Sequence, residues 1–262
     1  MTLTNPIENI PSEELKNLTE IIQKGFGTDE EVVSVSPVGE GANQGLHLKA
    51  YTNKVNWYGL KAGERIQSGM DKEWLAAELG ILLDAPNACR VIQVETKINF
   101  PPLEGKRVNI TQWLQKSESL NRIPKEFIKR NLATFFLQFG EWSFFALLFG
   151  ITDRHSGNWV WNNDEKRLSL VDMEESFVPL EPNTMFWAFI EYSDPARIRT
   201  ERDECSDWDK FSEGLRNMSK KFHEKENEVR ELLGRYDFSR GYSSKFSGMK
   251  DEDILSEILM SL

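Results

Sequence analysis

The sequence predicts an α+β protein of two lobes, a small antiparallel β-rich lobe followed by a larger helical one. Three observations carry this. Between 31 and 61 the apolar residues come in short runs, VVSVSPV, LHLKAY and VNWYGLKA, separated by the turn-forming stretches GEGANQG and TNK. From 124 onward they recur at helical spacing over long segments. Between these regions Pro101-Pro102 and Gly105 interrupt regular structure and suit a hinge.

Taken in order, residues 13–25 form a leading helix, with the Ser12 hydroxyl as its cap and Gly25 as its stop. Three antiparallel strands follow within 31–61, the first two joined by a glycine-rich hairpin. Residues 71–83 (DKEWLAAELGILL) read as an amphipathic helix capped by Asp71, and 90–95 as a further strand after Pro86. Beyond the hinge, helices are expected at 124–149, 207–233 and 252–262, the last with Ile254, Leu255, Ile258, Leu259 and Leu262 on one face. The expected division is a helical extension at 1–30, a first lobe at 31–104 and a second at 105–262.

The chain has 262 residues, enough to bury about three quarters of its unfolded surface. Its composition, 39% hydrophobic and 28% charged, is that of a folded globular protein. A net charge of −10 opposes nucleic acid and anionic membranes at long range, so a phosphate-bearing ligand would need a local basic or metal site. Cys89 and Cys205 are expected as free thiols in a reducing compartment. The polar, acidic start at 1–11 does not read as a secretory signal, and a cytoplasmic location is expected. The apolar stretch 132–151 is long enough to span a bilayer, but Gln138, Gly140 and Glu141 interrupt it and no basic loop flanks it; a buried core helix is expected. His47 and His223 lack the spacing of a zinc site, and no Gly-x-Ser-x-Gly nucleophile elbow occurs.

The most informative stretch follows Gly150: Ile151-Thr-Asp153-Arg154-His155-Ser-Gly-Asn158, a hairpin pattern around the turn NNDEKR, and Leu168-Ser-Leu-Val-Asp172. The Asn158 amide oxygen and the Asp172 carboxylate are hard donors suited to Mg2+, and Asp153 could orient a hydroxyl. This pattern resembles the catalytic loop and metal-binding segment of the atypical kinases, namely the phosphoinositide 3- and 4-kinases and the bacterial persistence-toxin kinases. In those families the Asn stands five residues after the catalytic Asp, as Asn158 does after Asp153. The resemblance implies a two-lobed protein-kinase-like fold with ATP in the cleft between lobes. It implies Asp153 as base or orienting group, His155 as a phosphate contact, Arg154 as loop support, and Asn158 and Asp172 as magnesium ligands.

On the same resemblance, backbone N–H groups of the Gly39-Glu-Gly41-Ala-Asn-Gln-Gly45 stretch would approach phosphates, although its spacing departs from the protein-kinase pattern and a plain hairpin is the alternative. Lys61 and Glu73 would be the lysine–glutamate pair that contacts and positions phosphates, with Lys49 and Glu78 as the alternative pair. Glu174 stands where the related kinases usually carry glycine. Arg197, Arg199 and Arg202 are interleaved with Glu201, Asp203 and Glu204, the pattern of a solvated face rather than a lipid headgroup site. Phe186, Trp187, Phe189 and Tyr192 could bind a substrate or pack the larger lobe.

The expected function is therefore ATP- and Mg2+-dependent phosphoryl transfer to a hydroxyl acceptor, a protein Ser or Thr before a small metabolite or an inositol lipid. A pseudokinase that binds nucleotide without turnover is the alternative. Neither nucleic acid nor a transmembrane segment enters this reading.

Overall fold

The computed structural model describes residues 11–38, 46–62, 67–94, 103, 106–113, 117–123, 129–152, 157–177 and 207–237. Two compact units are present, one built from Met1–Trp74 and Cys89–Gln115, the other from Leu75–Ala88 and Lys116–Leu262.

The first unit is built on a five-stranded antiparallel sheet of β1 (Val32–Pro37), β2 (Leu46–Thr52), β3 (Trp57–Ala62), β4 (Val91–Val94) and β5 (Val108–Gln112), in the order β1-β2-β3-β5-β4. Strand alternation sends Leu48, Ala50, Tyr58, Leu60, Val108 and Ile110 to one face, where they form a single core with Leu18 and Ile22 of helix α1 (Ser12–Phe26). The Thr19 hydroxyl accepts from Val32 N at 2.9 Å and ties helix to sheet. At the β2–β3 turn the buried Glu30 carboxylate accepts from Thr52 Oγ1 at 2.7 Å and Asn56 Nδ2 at 2.6 Å, so its charge is hydrogen-bonded on both oxygens.

Several boundaries differ from the sequence expectation. Ser12 is the first helical residue and makes no cap; Pro11 precedes it, and its ring suits the entry to a helix. Helix α1 runs through Gly25 and stops at Gly27, which takes the left-handed conformation (φ 65°) and donates its N–H to Gln23 O at 2.9 Å. Helix α2 (Gln67–Leu82) starts four residues before Asp71, so Asp71 is not its cap but accepts from Arg107 Nη1 at 2.6 Å and Gln93 Nε2 at 3.0 Å. Strand β5 falls where the sequence is read as entering the helical lobe. Its alternation Val-Asn-Ile-Thr-Gln is short, and the stretch before it carries the prolines read as a hinge. Pro101, Pro102 and Gly105 lie outside the described residues.

In the second unit, β6 (Ser117–Ser119), β7 (Trp159–Asn162) and β8 (Arg167–Leu170) form a three-stranded antiparallel sheet beside the helices α3 (Leu132–Leu148), α4 (Trp208–Glu224) and α5 (Glu226–Leu233). The single helix expected over 207–233 is two, because Lys225 leaves helical geometry (φ −119°, ψ 14°). The helix expected from 124 is interrupted at Asn131 (φ −121°, ψ 23°): Lys129 and Arg130 before it are helical, and α3 starts at Leu132. Asp207 caps α4 by accepting from Lys210 N at 3.1 Å. The helix expected at 252–262 lies outside the described residues, as does the aromatic cluster around Trp187.

Helix α3 is buried along most of its length, as expected of a core helix, and among the described residues no helix is long and apolar enough to cross a membrane. Each residue that interrupts its apolar run has a partner. Gln138 donates to Lys166 O at 2.9 Å and accepts from Leu168 N at 2.7 Å, holding the β7–β8 hairpin. Glu141 meets Lys221 of α4 at 3.3 Å. At Gly140 the α3 and α4 backbones touch: a Cβ there would stand 2.1 Å from Phe211 O, and one at Gly214 would stand 1.9 Å from Leu137 O. Phe139 packs on Phe211 and Trp159 with ring centroids 5.5 and 5.0 Å apart, joining both helices to the hairpin.

Both the glycine contact and the buried acid of this helix pair can be tested. Alanine normally stabilises a helix interior relative to glycine by about 1 kcal/mol, yet Gly140→Ala should destabilise by about 3 kcal/mol because the Cβ meets backbone that cannot rotate away. Urea unfolding gives the sign directly. Burial raises the Glu141 carboxyl above its ordinary value of 4.5, with Lys221 opposing the shift and Asp84 adding to it. The folded state therefore holds the proton more tightly than the unfolded state, and the Glu141 contribution is full below 4.5 and declines as pH rises through the raised folded value. Glu141→Gln should remove that decline, so its unfolding free energy relative to the parent should increase from pH 4.5 toward neutrality.

Candidate functional site

The first unit carries its polar machinery on the sheet face opposite the core. Strand register aligns His47, Lys61, Asn109 and Gln93 directly across β2, β3, β5 and β4, and opposed residues share a face. Because Leu60 and Ala62 point into the core, Lys61 points away from it toward α2. Lys61 Nζ meets Glu73 Oε1 at 2.9 Å, with both side chains largely removed from water. Glu73 Oε2 accepts from Asn109 Nδ2 at 3.2 Å, and the same amide nitrogen donates to Met70 O at 2.9 Å. Lys49, the alternative lysine, rests over the Trp57 ring 4.3 Å from its centroid, and Trp57 stacks on Trp113. Glu78 lies further along α2.

Cys89 lies buried near this pair. Burial, and secondarily the negative charge of Glu73, pushes its thiol up to about 12, which favours the protonated form at neutral pH.

The second unit brings the two expected magnesium ligands to one end of the β7–β8 hairpin. Asn158 immediately precedes β7, Asp172 follows β8, and Val171 N donates to Asn158 O at 2.9 Å, extending the ladder beyond the strands. Asn158 is buried and Asp172 half-buried. Asp172 has a left-handed backbone (φ 58°), which costs a non-glycine residue on the order of 1 kcal/mol and persists only where its surroundings fix it. The fixing contacts are visible: Thr152 N donates to Glu175 O at 3.0 Å, Phe177 N to Phe149 O at 2.7 Å, and Ser176 Oγ to Met173 O at 2.5 Å. The first two bind the segment after Asp172 to the chain leaving α3, and the third closes a turn within that segment.

Glu174, the departure from glycine, is buried, and one of its carboxylate oxygens lies within 4.8 Å of one of Asp172's. Two carboxylates so close repel unless a positive charge lies between them. The Asp172 and Glu174 carboxylates offer hard oxygen donors, which could hold a divalent cation such as Mg2+ rather than a thiophilic metal.

Asp153, Arg154 and His155 lie outside the described residues, as do Gly39, Gly41 and Gly45 and the arginines Arg197, Arg199 and Arg202. The polar residues that sequence reasoning missed are Asn109, Gln93, Arg107 and the non-capping role of Asp71. The alternation of Val108 and Ile110 with Asn109 and Thr111 was the available signal, since it turns a polar residue to the face opposite the core.

No protein-family model matches the chain, and no curated protein matches it. The solved structure of the Helicobacter pylori proinflammatory kinase CtkA is similar, with a TM-score of 0.51 at 12% sequence identity, covering 82% of this chain and 95% of that one. The fold is kinase-like. At this identity the likeness speaks for the fold, and chemistry must be argued from the side chains.

Proposed function

We propose that the chain is an ATP- and Mg2+-dependent kinase that moves the γ-phosphoryl group to a hydroxyl acceptor in the cytoplasm, a protein Ser or Thr in preference to a small metabolite or an inositol lipid. The observation that carries the proposal is the largely buried Lys61–Glu73 ion pair, joining strand β3 to helix α2 within a kinase-like fold. A lysine on that strand held by a helix glutamate is how kinases direct a fixed positive charge at nucleotide phosphates.

In this reading Lys61 binds phosphate oxygens and Glu73 fixes its ammonium group. Backbone N–H groups at Gly39, Gly41 and Gly45 cover the phosphates, Asp153 orients the acceptor hydroxyl and takes its proton, and His155 contacts the transferring group. Asn158 and Asp172 hold Mg2+, which supplies charge neutralisation at the phosphates. Little covalent assistance is required, because phosphoryl transfer depends chiefly on positioning and charge.

A second reading, nucleotide binding without turnover, is favoured by Glu174, whose buried carboxylate crowds Asp172 where related kinases have glycine.

Intact-mass analysis after incubation with ATP and Mg2+, alone and with a hydroxyl-rich acceptor protein, separates the two. Active chain should attach phosphate to itself or to the acceptor. Lys61→Met and Asp172→Asn should each slow transfer on the order of a hundredfold, the usual cost of one lost charge-stabilising group. Asn tolerates the left-handed backbone at 172, so the second variant should stay folded. Transfer undiminished in Asp172→Asn would sink the metal role, and ATP binding without transfer would favour the second reading.

A further inference from the structure

We propose that Asn109 is a positioning residue that locks Glu73 onto Lys61, so that the orientation of the phosphate-binding lysine is set from strand β5. The inference rests on the reading of Lys61 and Glu73 given above and adds a residue which that reading does not contain.

The geometry is specific. A carboxamide has two N–H donors, and Asn109 directs its nitrogen at Met70 O at 2.9 Å and at Glu73 Oε2 at 3.2 Å. It thus grips α2 by its backbone and by its functional carboxylate within one turn. Its oxygen accepts from Gln93 Nε2 at 3.3 Å, and Gln93 also donates to Asp71 Oδ1 at 3.0 Å, where Arg107 Nη1 arrives at 2.6 Å. Strands β4 and β5 therefore hold Met70, Asp71 and Glu73 together, while Lys61 approaches the remaining oxygen of Glu73 from β3. Asn109 is fully buried, and a buried polar side chain costs stability unless every bond is made. An apolar residue would fill this site at lower cost, so the amide is explained by the carboxylate it orients.

Glu73 has two ways to turn. With Oε2 held by Asn109, Oε1 faces Lys61; without that bond the carboxylate loses one of the contacts that set its rotation, and its hold on the ammonium group loosens. Substitution at 109 should consequently alter Lys61 although the two side chains need not touch.

The test reads Lys61 directly in nucleotide-free protein, through the rate at which acetic anhydride acylates its amine, followed by peptide mass spectrometry. Asn109→Leu, of similar size but without donors, should speed acylation about tenfold, the worth of one hydrogen bond to a charged group. Asn109→Asp is isosteric and retains packing if the leucine variant folds poorly. It replaces the donor to Glu73 by an acceptor and should likewise speed acylation. The charged and titratable groups around position 109 are Glu73 and Asp71 on α2, Lys61 opposite it on β3, Arg107 just before β5, His47 one strand further along the register on β2, and the Cys89 thiol, which senses Glu73. The carboxylates of Glu73 and Asp71 favour proton uptake by the carboxyl group introduced at 109, which can then donate. The excess over parent rate should therefore shrink as pH is lowered from about 8 to about 5, a rescue that a packing role would not produce. Acylation within about twofold of the parent in both variants, with cooperative unfolding retained, would overturn the proposal. Because no nucleotide is present, the result decides the role of Asn109 independently of phosphoryl transfer, whose absence from the parent protein would count against the proposed function instead.

Discussion

A lysine ammonium and a glutamate carboxylate withdrawn from water are stable only while each keeps its compensating partners. Removing one partner of such a pair costs about 3–5 kcal/mol, because the other is left charged in a poor solvent. The Lys61–Glu73 pair meets this constraint by sharing its charge with a row of amides laid across the sheet. The arrangement of the first unit follows from it. The strand order places β5 beside β3, register brings Asn109 opposite Lys61, and helix α2 lies on the face those residues point to. On the other face the same alternation supplies the apolar core under α1, so one strand period builds both the packing and the polar row.

The second unit solves a different problem, that of holding a half-buried aspartate in an unfavourable backbone conformation. Helix α3 is the rigid reference. Its Gln138 grips the β7–β8 hairpin through two backbone bonds, and Trp142 Nε1 donates to Leu168 O and Pro86 O at 2.9 Å each. The close glycine contact presses α4 against it. With the turn end of the hairpin held by these bonds, the ladder between Asn158 and Val171 sets where Asp172 begins, and the hydrogen bonds back to Phe149 and Thr152 set how the chain leaves it. Asp172 keeps its left-handed backbone because these bonds fix the residues on either side of it.

Much of this was legible in the residues because both periods were clean. The three strands within 31–61, the buried character of α3 and the order of Asn158, hairpin and Asp172 all rest on local alternation or composition. What was not legible depended on partners distant in sequence. Ser12 and Asp71 looked like caps because cap preference is local, whereas α1 is entered from Pro11 and α2 already runs through Asp71, whose carboxylate meets the Arg107 guanidinium instead. Gly25 and Gly27 are equally able to end a helix, and only the packing of the last turn selects between them. Strand β5 was hidden by its brevity and by neighbouring prolines, and Asn109 was hidden with it. Gln138 and Glu141 were read as interruptions of an apolar run, when each supplies a specific bond to a neighbouring element.

The most direct measurement of the central claim is thermal unfolding of the chain with and without ATP, each in the presence and absence of Mg2+. A ligand that binds only the folded state stabilises it in proportion to the logarithm of its excess, roughly 2.7 kcal/mol at a hundredfold excess over the dissociation constant. The midpoint should rise with ATP concentration, more steeply with Mg2+, and the rise should be lost in Lys61→Met. A midpoint unmoved at millimolar ATP with Mg2+ would contradict the claim.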